Sequence, residues 1–87
     1  MITSVQNERV KEFAKLQMKK YRDKMHQFII EGEHLVEEAL KHGEVVEIFS
    51  LEERENATQV SSEVMKKLSG LTTPPTVLAV CKMMDSR

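Results

Sequence analysis

Residues 26–49 have the sequence HQFIIEGEHLVEEALKHGEVVEIF, which decides the fold class because strand-like and helix-like patterns alternate within it. His26–Glu31 is short, rich in β-branched and aromatic residues, and ends at Gly32, which is typical of a strand. Residues 33–42 predict a helix that stops at Gly43, since glycine tolerates the left-handed conformation beyond a helix end. The expected inward face of this helix consists of Leu35, Val36, Ala39 and Leu40.

A second and a third strand are predicted at Val45–Phe49 and Thr58–Val60. Between them, Ser50 and Glu53 have the spacing of a capping box for a brief helical turn, whereas the charged side chains nearby equally suit a loop. The sequence leaves the structure of residues 50–57 open between these alternatives.

The last third of the chain predicts a helix, a loop and a buried strand. Ser61 or Ser62 caps a helix that ends at Gly70 and whose inward residues are Val64, Met65 and Leu68. Thr72–Pro75 must be a loop, because consecutive prolines remove two backbone donors. The apolar run Val77–Lys82 then predicts a buried strand.

The N-terminal part predicts one amphipathic helix. Ser4 is the expected N-cap, the helix runs to about Lys20, and its apolar face consists of Val10, Phe13, Ala14, Gln17 and Tyr21. Leu16 lies off this face, and it either makes a satellite contact or marks an error in the helix boundary. The element order α-β-α-β-(β)-α-β predicts a small α/β domain with α/β/α layers.

The composition fits one small domain, since 87 residues with 40% hydrophobic and 31% charged content lie near the lower limit for a self-sufficient core. Cys81 is the single cysteine, so no intrachain disulfide can form and a reducing, cytoplasmic setting is expected. The longest apolar run, residues 77–81, is too short to span a membrane, and the first twenty residues lack a signal-peptide core.

The two signs of charge occupy different segments of the chain. Residues 7–24 contain seven basic and three acidic residues, whereas residues 31–63 contain ten Glu against Lys41 and Arg54. A chain polarised in this way can present a cationic face to a polyanion while the remaining surface repels it.

Few residues suit catalysis. The three histidines do not have the spacing of a metal-binding set; they are His26, His34 and His42. Ser61 and Ser62 suit helix caps better than nucleophiles, and Cys81 suits a small buried hydrophobe better than a reactive thiol. The three glycines are too dispersed to surround a phosphate, and the methionines are expected as core filler and tail residues. We therefore expect no catalytic, cofactor or metal site in this chain.

The basic flank of the first helix is the main functional feature. At 100° per residue, four cations fall together beside the apolar stripe with Asn7 at their leading edge, and these are Lys11, Lys15, Lys19 and Arg22. Cations at four-residue steps can meet successive phosphates of a folded RNA, which predicts salt-sensitive binding that is mostly independent of sequence. The structural alternative is an ordinary solvated helix face.

A series of short motifs extends over nearly the whole chain: Ile2-Thr3-Ser4 with Asn7, Val10-Lys11, Lys15-Leu16, Lys19-Lys20-x-Arg22, Phe28-x-x-Glu31-Gly32, Leu35-Val36-Glu37-Glu38-Ala39-Leu40, Val60-Ser61, Leu68-Ser69, Thr73-Pro74 and Val77-Leu78-Ala79-Val80. No single motif is specific, but their joint order resembles the N-terminal substrate-binding domain that precedes the knotted domain in the SpoU/TrmH family of SPOUT RNA methyltransferases.

The resemblance implies a fold like that of ribosomal proteins that bind kinked RNA. It also implies a parent enzyme that transfers a methyl group from S-adenosylmethionine to a ribose 2′-hydroxyl, with rRNA as the expected substrate. The RNA-binding residues that it implies are Asn7, Lys11, Lys15, Lys19, Lys20, Arg22, Lys24, Glu31, Gly32, Thr73 and Pro74. It assigns residues 1–82 to the RNA-binding domain and residues 83–87 to the start of a linker. Catalysis, cofactor binding and homodimerisation are expected in a further domain, which leaves this chain non-catalytic and monomeric.

The chain departs from the family pattern at residues 71–76. Leu71 stands where relatives commonly have Thr, and Pro75-Thr76 replaces Gln-Gly, which weakens an RNA role for this segment. Two alternatives remain: a stand-alone module for structured RNA, and a structural or dimerisation domain whose basic face meets the acidic residues 31–63 of a neighbour.

Overall fold

The computed structural model describes residues 1–83 as one four-stranded sheet with helices on both faces. In chain order, the elements are α1 (Glu8–Ala14), a 3-10 helix (Lys15–Gln17), α2 (Lys19–Met25), β1 (Gln27–Glu31), α3 (Glu33–His42), β2 (Val45–Ser50), β3 (Thr58–Gln59), α4 (Ser62–Ser69) and β4 (Val77–Lys82). The predicted linker start at residues 83–87 lies outside the described residues except for Met83.

Strand β4 lies at the centre of the sheet, whose order is β1-β4-β2-β3. It pairs antiparallel with both β1 and β2, and β2 pairs parallel with β3. Val77–Cys81 is buried throughout, which confirms the prediction of a buried strand for this apolar run. Within residues 1–83, strand β1 forms one edge of the sheet and pairs with β4 alone.

The core has two halves because successive residues of β4 point to opposite faces of the sheet. Leu78 and Val80 pack beneath α1 and α4 with Val10, Leu16, Phe49, Val60, Val64, Met65 and Leu68. Val77, Ala79 and Cys81 pack beneath α3 with Val36 and Ile48. The predicted α/β/α layering is therefore confirmed, as is the buried, hydrophobic position of Cys81.

The predicted N-cap of the first helix is wrong. The side-chain oxygen of Asn7 accepts hydrogen bonds from the backbone N–H groups of Arg9 and Val10, at 2.9 and 3.3 Å, so that α1 begins after Asn7. Ser4 instead accepts a hydrogen bond from the backbone N–H of Gln6, which forms a local turn ahead of the helix.

The predicted single helix is also wrong in its continuity. After Ala14 the chain tightens into the 3-10 helix, and Met18 is extended with φ −101° and ψ 135° before α2 begins. The physical reason is Leu16, which lies off the apolar stripe of a regular helix and is only 1% exposed here. The tighter turn brings Leu16 into the core, and its burial favours the break over a continuous helix.

Helix α3 has the predicted bounds and ends at Gly43 in the left-handed conformation, with φ 71°. Its predicted inward face is only half right, because Val36 is buried and Ala39 is partly buried, whereas Leu35 and Leu40 are 51% and 48% exposed. The reason is that α3 packs over β4 and the edge strand β1, which cover a narrow stripe of the helix.

Residues 51–57 form bends and turns, so the loop alternative holds for this segment. The Ser50 hydroxyl is buried and accepts a hydrogen bond from the backbone N–H of Glu52 at 3.1 Å. Ser61 caps α4 by accepting a hydrogen bond from the Val64 backbone N–H, and α4 ends at Gly70. Both ends of α4 confirm the sequence prediction.

Candidate nucleic-acid interface

The five lysines predicted to bind RNA are all exposed, but they do not share one helix face. They are Lys11, Lys15, Lys19, Lys20 and Lys24, and we call them the basic surface. The extended residue Met18 separates the first two lysines from the other three, so the predicted alignment along a single helix is wrong. Their relative placement is set by the 3-10 helix and by the contacts described below.

Two of these lysines form surface ion pairs. Lys19 Nζ lies 2.8 Å from the Asp23 carboxylate, and Lys15 Nζ lies 3.7 Å from the Glu12 carboxylate. The hydrogen bond and the positive charge of Lys19 lower the pKa of Asp23. Exposed pairs of this kind contribute little to stability, so both lysines remain available to a phosphate.

Tyr21 brings lysines from both sides of the break together. The Nζ atoms of Lys15 and Lys20 lie 5.5 and 5.1 Å from the centre of the Tyr21 ring. At these distances the ring attracts both ammonium groups, which offsets part of their mutual repulsion. The basic surface therefore has a fixed centre at Tyr21, and this ring is occupied by lysines instead of being open for base stacking.

Arg22 has a structural role that the sequence did not indicate. Its Nη1 atom donates hydrogen bonds to the backbone carbonyls of Leu16 and Gln17, each at 3.0 Å. These two carbonyls end the 3-10 helix and have lost their helical partners, so the guanidinium group stabilises the break. Arg22 is therefore half-buried and fixed in position, unlike the exposed lysines around it.

Asn7 likewise has a structural role, because its side-chain oxygen caps α1. The structure places it at the start of α1, where it is partly buried. Its predicted contact with RNA remains a prediction.

The Glu31-Gly32 turn and the Thr73-Pro74 loop lie at the same end of the sheet. The backbone N–H of Gly32 donates to the Val77 carbonyl at 3.0 Å, and Val77 begins the strand that follows the loop. Thr73 is exposed and Pro74 is partly buried. The structure thus places the Glu31-Gly32 turn beside the start of the strand that follows the Thr73-Pro74 loop.

An ion pair joins the loop after β2 to the start of α3 near the Gly32 turn. Arg54, in the loop after β2, contacts both carboxylate oxygens of Glu33 at 2.9 Å, at the first turn of α3. The pair neutralises the charges of Arg54 and Glu33.

A groove of about 600 Å³ along the free edge of β1 was missed by the sequence reasoning. Its lining includes Leu16, Gln17, Arg22, Ile29, Glu31 and Ser69, and we call it the edge groove. Two of the predicted residues, Arg22 and Glu31, therefore face one concave site. No sequence signal could have found this groove, because the 3-10 helix, β1 and α4 meet only in the folded chain.

Two further lysines were also missed. Lys66 and Lys67 are exposed in the last turn of α4, and the Lys67 backbone carbonyl accepts a hydrogen bond from Gln17 Nε2 at 2.7 Å. The last turn of α4 thus lies beside the 3-10 helix. The helical pattern of residues 62–69 placed both lysines on the outer face, but it did not indicate their neighbours.

Other chemistry is sparse among residues 1–83. No group of three or more His, Cys, Asp or Glu side chains in this range could hold a metal ion. Burial, with a smaller effect of the Glu44 charge, raises the pKa of the Cys81 thiol, so the reactive thiolate is disfavoured. No helix among these residues is sufficiently long and apolar to cross a membrane.

Comparison with known proteins gives one consistent result. Residues 7–79 match the family model described as the MRM3-like substrate binding domain. The chain is 38% identical over 96 residues to the 23S rRNA (guanosine(2553)-2′-O)-methyltransferase RlmP of Bacillus subtilis (strain 168), and the match covers 99% of this chain and 39% of that protein.

Solved structures agree with this match. A crystal structure of an RNA 2′-O ribose methyltransferase has a TM-score of 0.84 and 31% identity, over 99% of this chain and 38% of its own. An S-adenosylmethionine-bound rRNA methyltransferase from Sinorhizobium meliloti has a TM-score of 0.81 and 25% identity, over 98% of this chain and 37% of its own. The chain therefore spans less than half the length of each of these relatives.

Proposed function

The chain belongs to the MRM3-like substrate-binding domain family, and we propose from this membership that it binds structured rRNA for a ribose 2′-O-methyltransferase of the SpoU/TrmH type. The observation that carries the proposal is the basic surface, whose lysines are all exposed and of which Lys15 and Lys20 meet at the Tyr21 ring. Ammonium groups placed in this way neutralise phosphates and release counterions, which drives binding without reading the base sequence.

The proposed contact residues fall into three groups. The lysines of the basic surface contact phosphates, and Lys66 and Lys67 extend that surface toward the edge groove. Arg22 has free donors at Nη2 and Nε, because only Nη1 makes hydrogen bonds within residues 1–83. The turn at Gly32 and the loop at Thr73-Pro74 approach the RNA at the end of the sheet, with Asn7 as a polar companion at the start of α1.

The parent enzyme uses S-adenosylmethionine as methyl donor, and its catalytic residues lie outside residues 1–87. Support comes from the relatives, which are more than twice as long as this chain and one of which is described with the cofactor bound. In this proposal residues 1–82 are the RNA-binding domain, and dimerisation is a property of the catalytic part. A cytoplasmic location is consistent with the lone, reduced thiol of Cys81.

The proposal is tested by the salt dependence of binding to structured rRNA fragments. The variant Lys20→Glu reverses one charge of the basic surface, and Lys41→Glu on α3 is a control with the same change in net charge elsewhere. We expect the first variant to lose at least tenfold in affinity at low salt and to show a shallower salt slope, while the control binds nearly as the unmodified chain does. Equal losses in both variants would attribute binding to net charge alone and would contradict the proposed surface.

A further inference from the structure

The backbone of β1 presents unpaired donors and acceptors to the edge groove. The Met83 N–H donates to the His26 carbonyl at 2.9 Å, and the Gly32 N–H donates to the Val77 carbonyl at 3.0 Å, at the two ends of the β1–β4 ladder. In an antiparallel strand, the backbone N–H and C=O groups of successive residues point alternately toward the partner strand and away from it. The backbone groups that point away from β4 are therefore those of Gln27, Ile29 and Glu31.

These outward groups have no hydrogen-bond partner within the described part of the chain. Each outward residue offers an N–H donor beside a C=O acceptor, and Ile29 and Glu31 both line the edge groove. An edge strand that is open in this way readily pairs with another molecule that has a matching donor and acceptor.

The size and lining of the edge groove suit a ring with polar edges. Ile29 and Leu35 supply apolar surface, and a volume of about 600 Å³ accommodates a group of the size of a nucleotide. Every nucleobase has a donor next to an acceptor on one of its edges, which matches the paired N–H and C=O groups of an outward-facing residue.

The edge groove contains one cationic and one anionic side chain, which suit the phosphate and the base of a nucleotide respectively. Arg22 is fixed by its two backbone hydrogen bonds, and its remaining donors favour a phosphate. Glu31 lines the same groove and makes no ion pair or side-chain hydrogen bond within residues 1–83. A carboxylate repels phosphate, but it accepts hydrogen bonds from exocyclic amino groups of bases.

The position of the basic surface favours RNA over a protein strand as the occupant. Arg22 belongs to α2, which also contains Lys19, Lys20 and Lys24, so the groove continues directly into cationic surface. A neutral extended peptide could pair with the same edge, but it would gain nothing from these charges.

We propose that the edge groove binds one unstacked nucleobase of the RNA, that the outward backbone groups of Ile29 pair with its edge, and that Glu31 accepts a hydrogen bond from its exocyclic amino group. Adenine, cytosine and guanine are therefore preferred to uracil, which lacks that group. This inference rests on the proposed function, to which it adds a site of base selection.

The test uses the ¹⁵N-labelled 87-residue chain and four RNA hairpins that differ only in one extruded nucleotide. We expect the uridine hairpin to bind about tenfold more weakly, the value for one charge-assisted hydrogen bond. The NMR signals of the Ile29 and Glu31 backbone amides should shift when the adenosine, cytidine or guanosine hairpin binds. Glu31→Gln, which preserves the side-chain shape, should remove the discrimination, whereas the control Glu37→Gln on the exposed face of α3 should retain it.

The failures of the two proposals are distinguishable. Equal, salt-sensitive affinity for all four hairpins with unmoved Ile29 and Glu31 amides would overturn the edge groove and leave the basic surface standing. Absence of binding to every hairpin at low salt would overturn both. Protection of the Gln27, Ile29 and Glu31 amides from exchange by an extended Thr-Val hexapeptide, with no such effect of the hairpins, would assign the groove to a protein strand.

Discussion

Gln17 Nε2 donates a hydrogen bond of 2.7 Å to the backbone carbonyl of Lys67, fifty residues further along the chain. A second hydrogen bond from the same atom reaches the Leu68 carbonyl at 3.2 Å. These carbonyls belong to the last turn of α4, where no helical partner is available. One side chain therefore satisfies the end of α4 and fixes the 3-10 helix, and with it the start of the basic surface.

Gln17→Ala should lower the free energy of unfolding by about 1 kcal/mol, because it removes the hydrogen bonds to the end of α4. The measurement is urea denaturation, with Gln6→Ala as a control at an exposed glutamine. If both variants unfold at the same urea concentration as the unmodified chain, the contact contributes nothing to stability.

Gly70→Ala should cost more stability than Gly43→Ala. Both glycines have nearly the same positive φ, 72° and 71°, so the backbone strain of a Cβ is matched. A Cβ on Gly70 would meet the side-chain oxygen of Gln17, whereas one on Gly43 has open space. We expect an excess cost of about 1 kcal/mol for Gly70→Ala, the value of the lost hydrogen bonds.

A double-mutant cycle separates these two effects. In a Gln17→Ala background, Gly70→Ala and Gly43→Ala should cost the same, because the clashing side chain is gone. An unchanged excess at Gly70 in that background would show that the clash with Gln17 is not its cause.

Tyr21→Leu should weaken RNA binding about threefold, because the two lysines at its ring lose an attraction of about 0.5–1 kcal/mol at an exposed site. Tyr21→Phe retains the ring and should bind as the unmodified chain does. The measurement is the dissociation constant for a structured rRNA fragment at low salt. Equal binding by the leucine variant would remove Tyr21 as the centre of the basic surface.

The Asp23 carboxyl should titrate below its ordinary pKa in an NMR titration, since the Lys19 hydrogen bond and charge favour the ionised form. Because the pKa of Asp23 is lowered in the folded chain, the ion pair contributes its stability at pH values above the pKa of the unfolded chain. This contribution is lost as the pH falls through the pKa of the folded chain, below about pH 4. Lys19→Gln should return the Asp23 pKa toward its ordinary value. An unshifted Asp23 in the unmodified chain would show that this ion pair does not form in solution.

The pattern from residue 26 onward predicted the strands, α3, α4 and their glycine ends well, because apolar periodicity and turn residues agree there. The same reasoning failed before residue 26. The apolar stripe of residues 10–21 suits one regular helix, but the burial of Leu16 and the Arg22 hydrogen bonds to the Leu16 and Gln17 carbonyls favour a break. The burial of Leu16 depends on elements distant in the sequence. The Arg22 hydrogen bonds span only five and six residues, but apolar periodicity carries no signal for a side chain that binds backbone carbonyls.

For the candidate site, the sequence predicted the charged residues but not their contacts. The lysines of α1, the 3-10 helix and α2 were identified, and they are exposed as expected. The sequence could not indicate that Arg22 binds backbone carbonyls, that Tyr21 lies between two lysines, or that β1 is an edge strand. The edge position of β1 depends on the sheet order, which places β4 between β1 and β2 although it is the last of the four described strands.

The break at Met18 leaves α1 and α2 with seven residues each. Helices of this length do not persist in water without the rest of the protein, because nucleation is costly and each turn gains little. A synthetic peptide spanning residues 7–25 would therefore be a flexible polycation instead of a miniature of this surface. The arrangement of the lysines is a property of the intact tertiary structure, and heat or urea should abolish it together with the core.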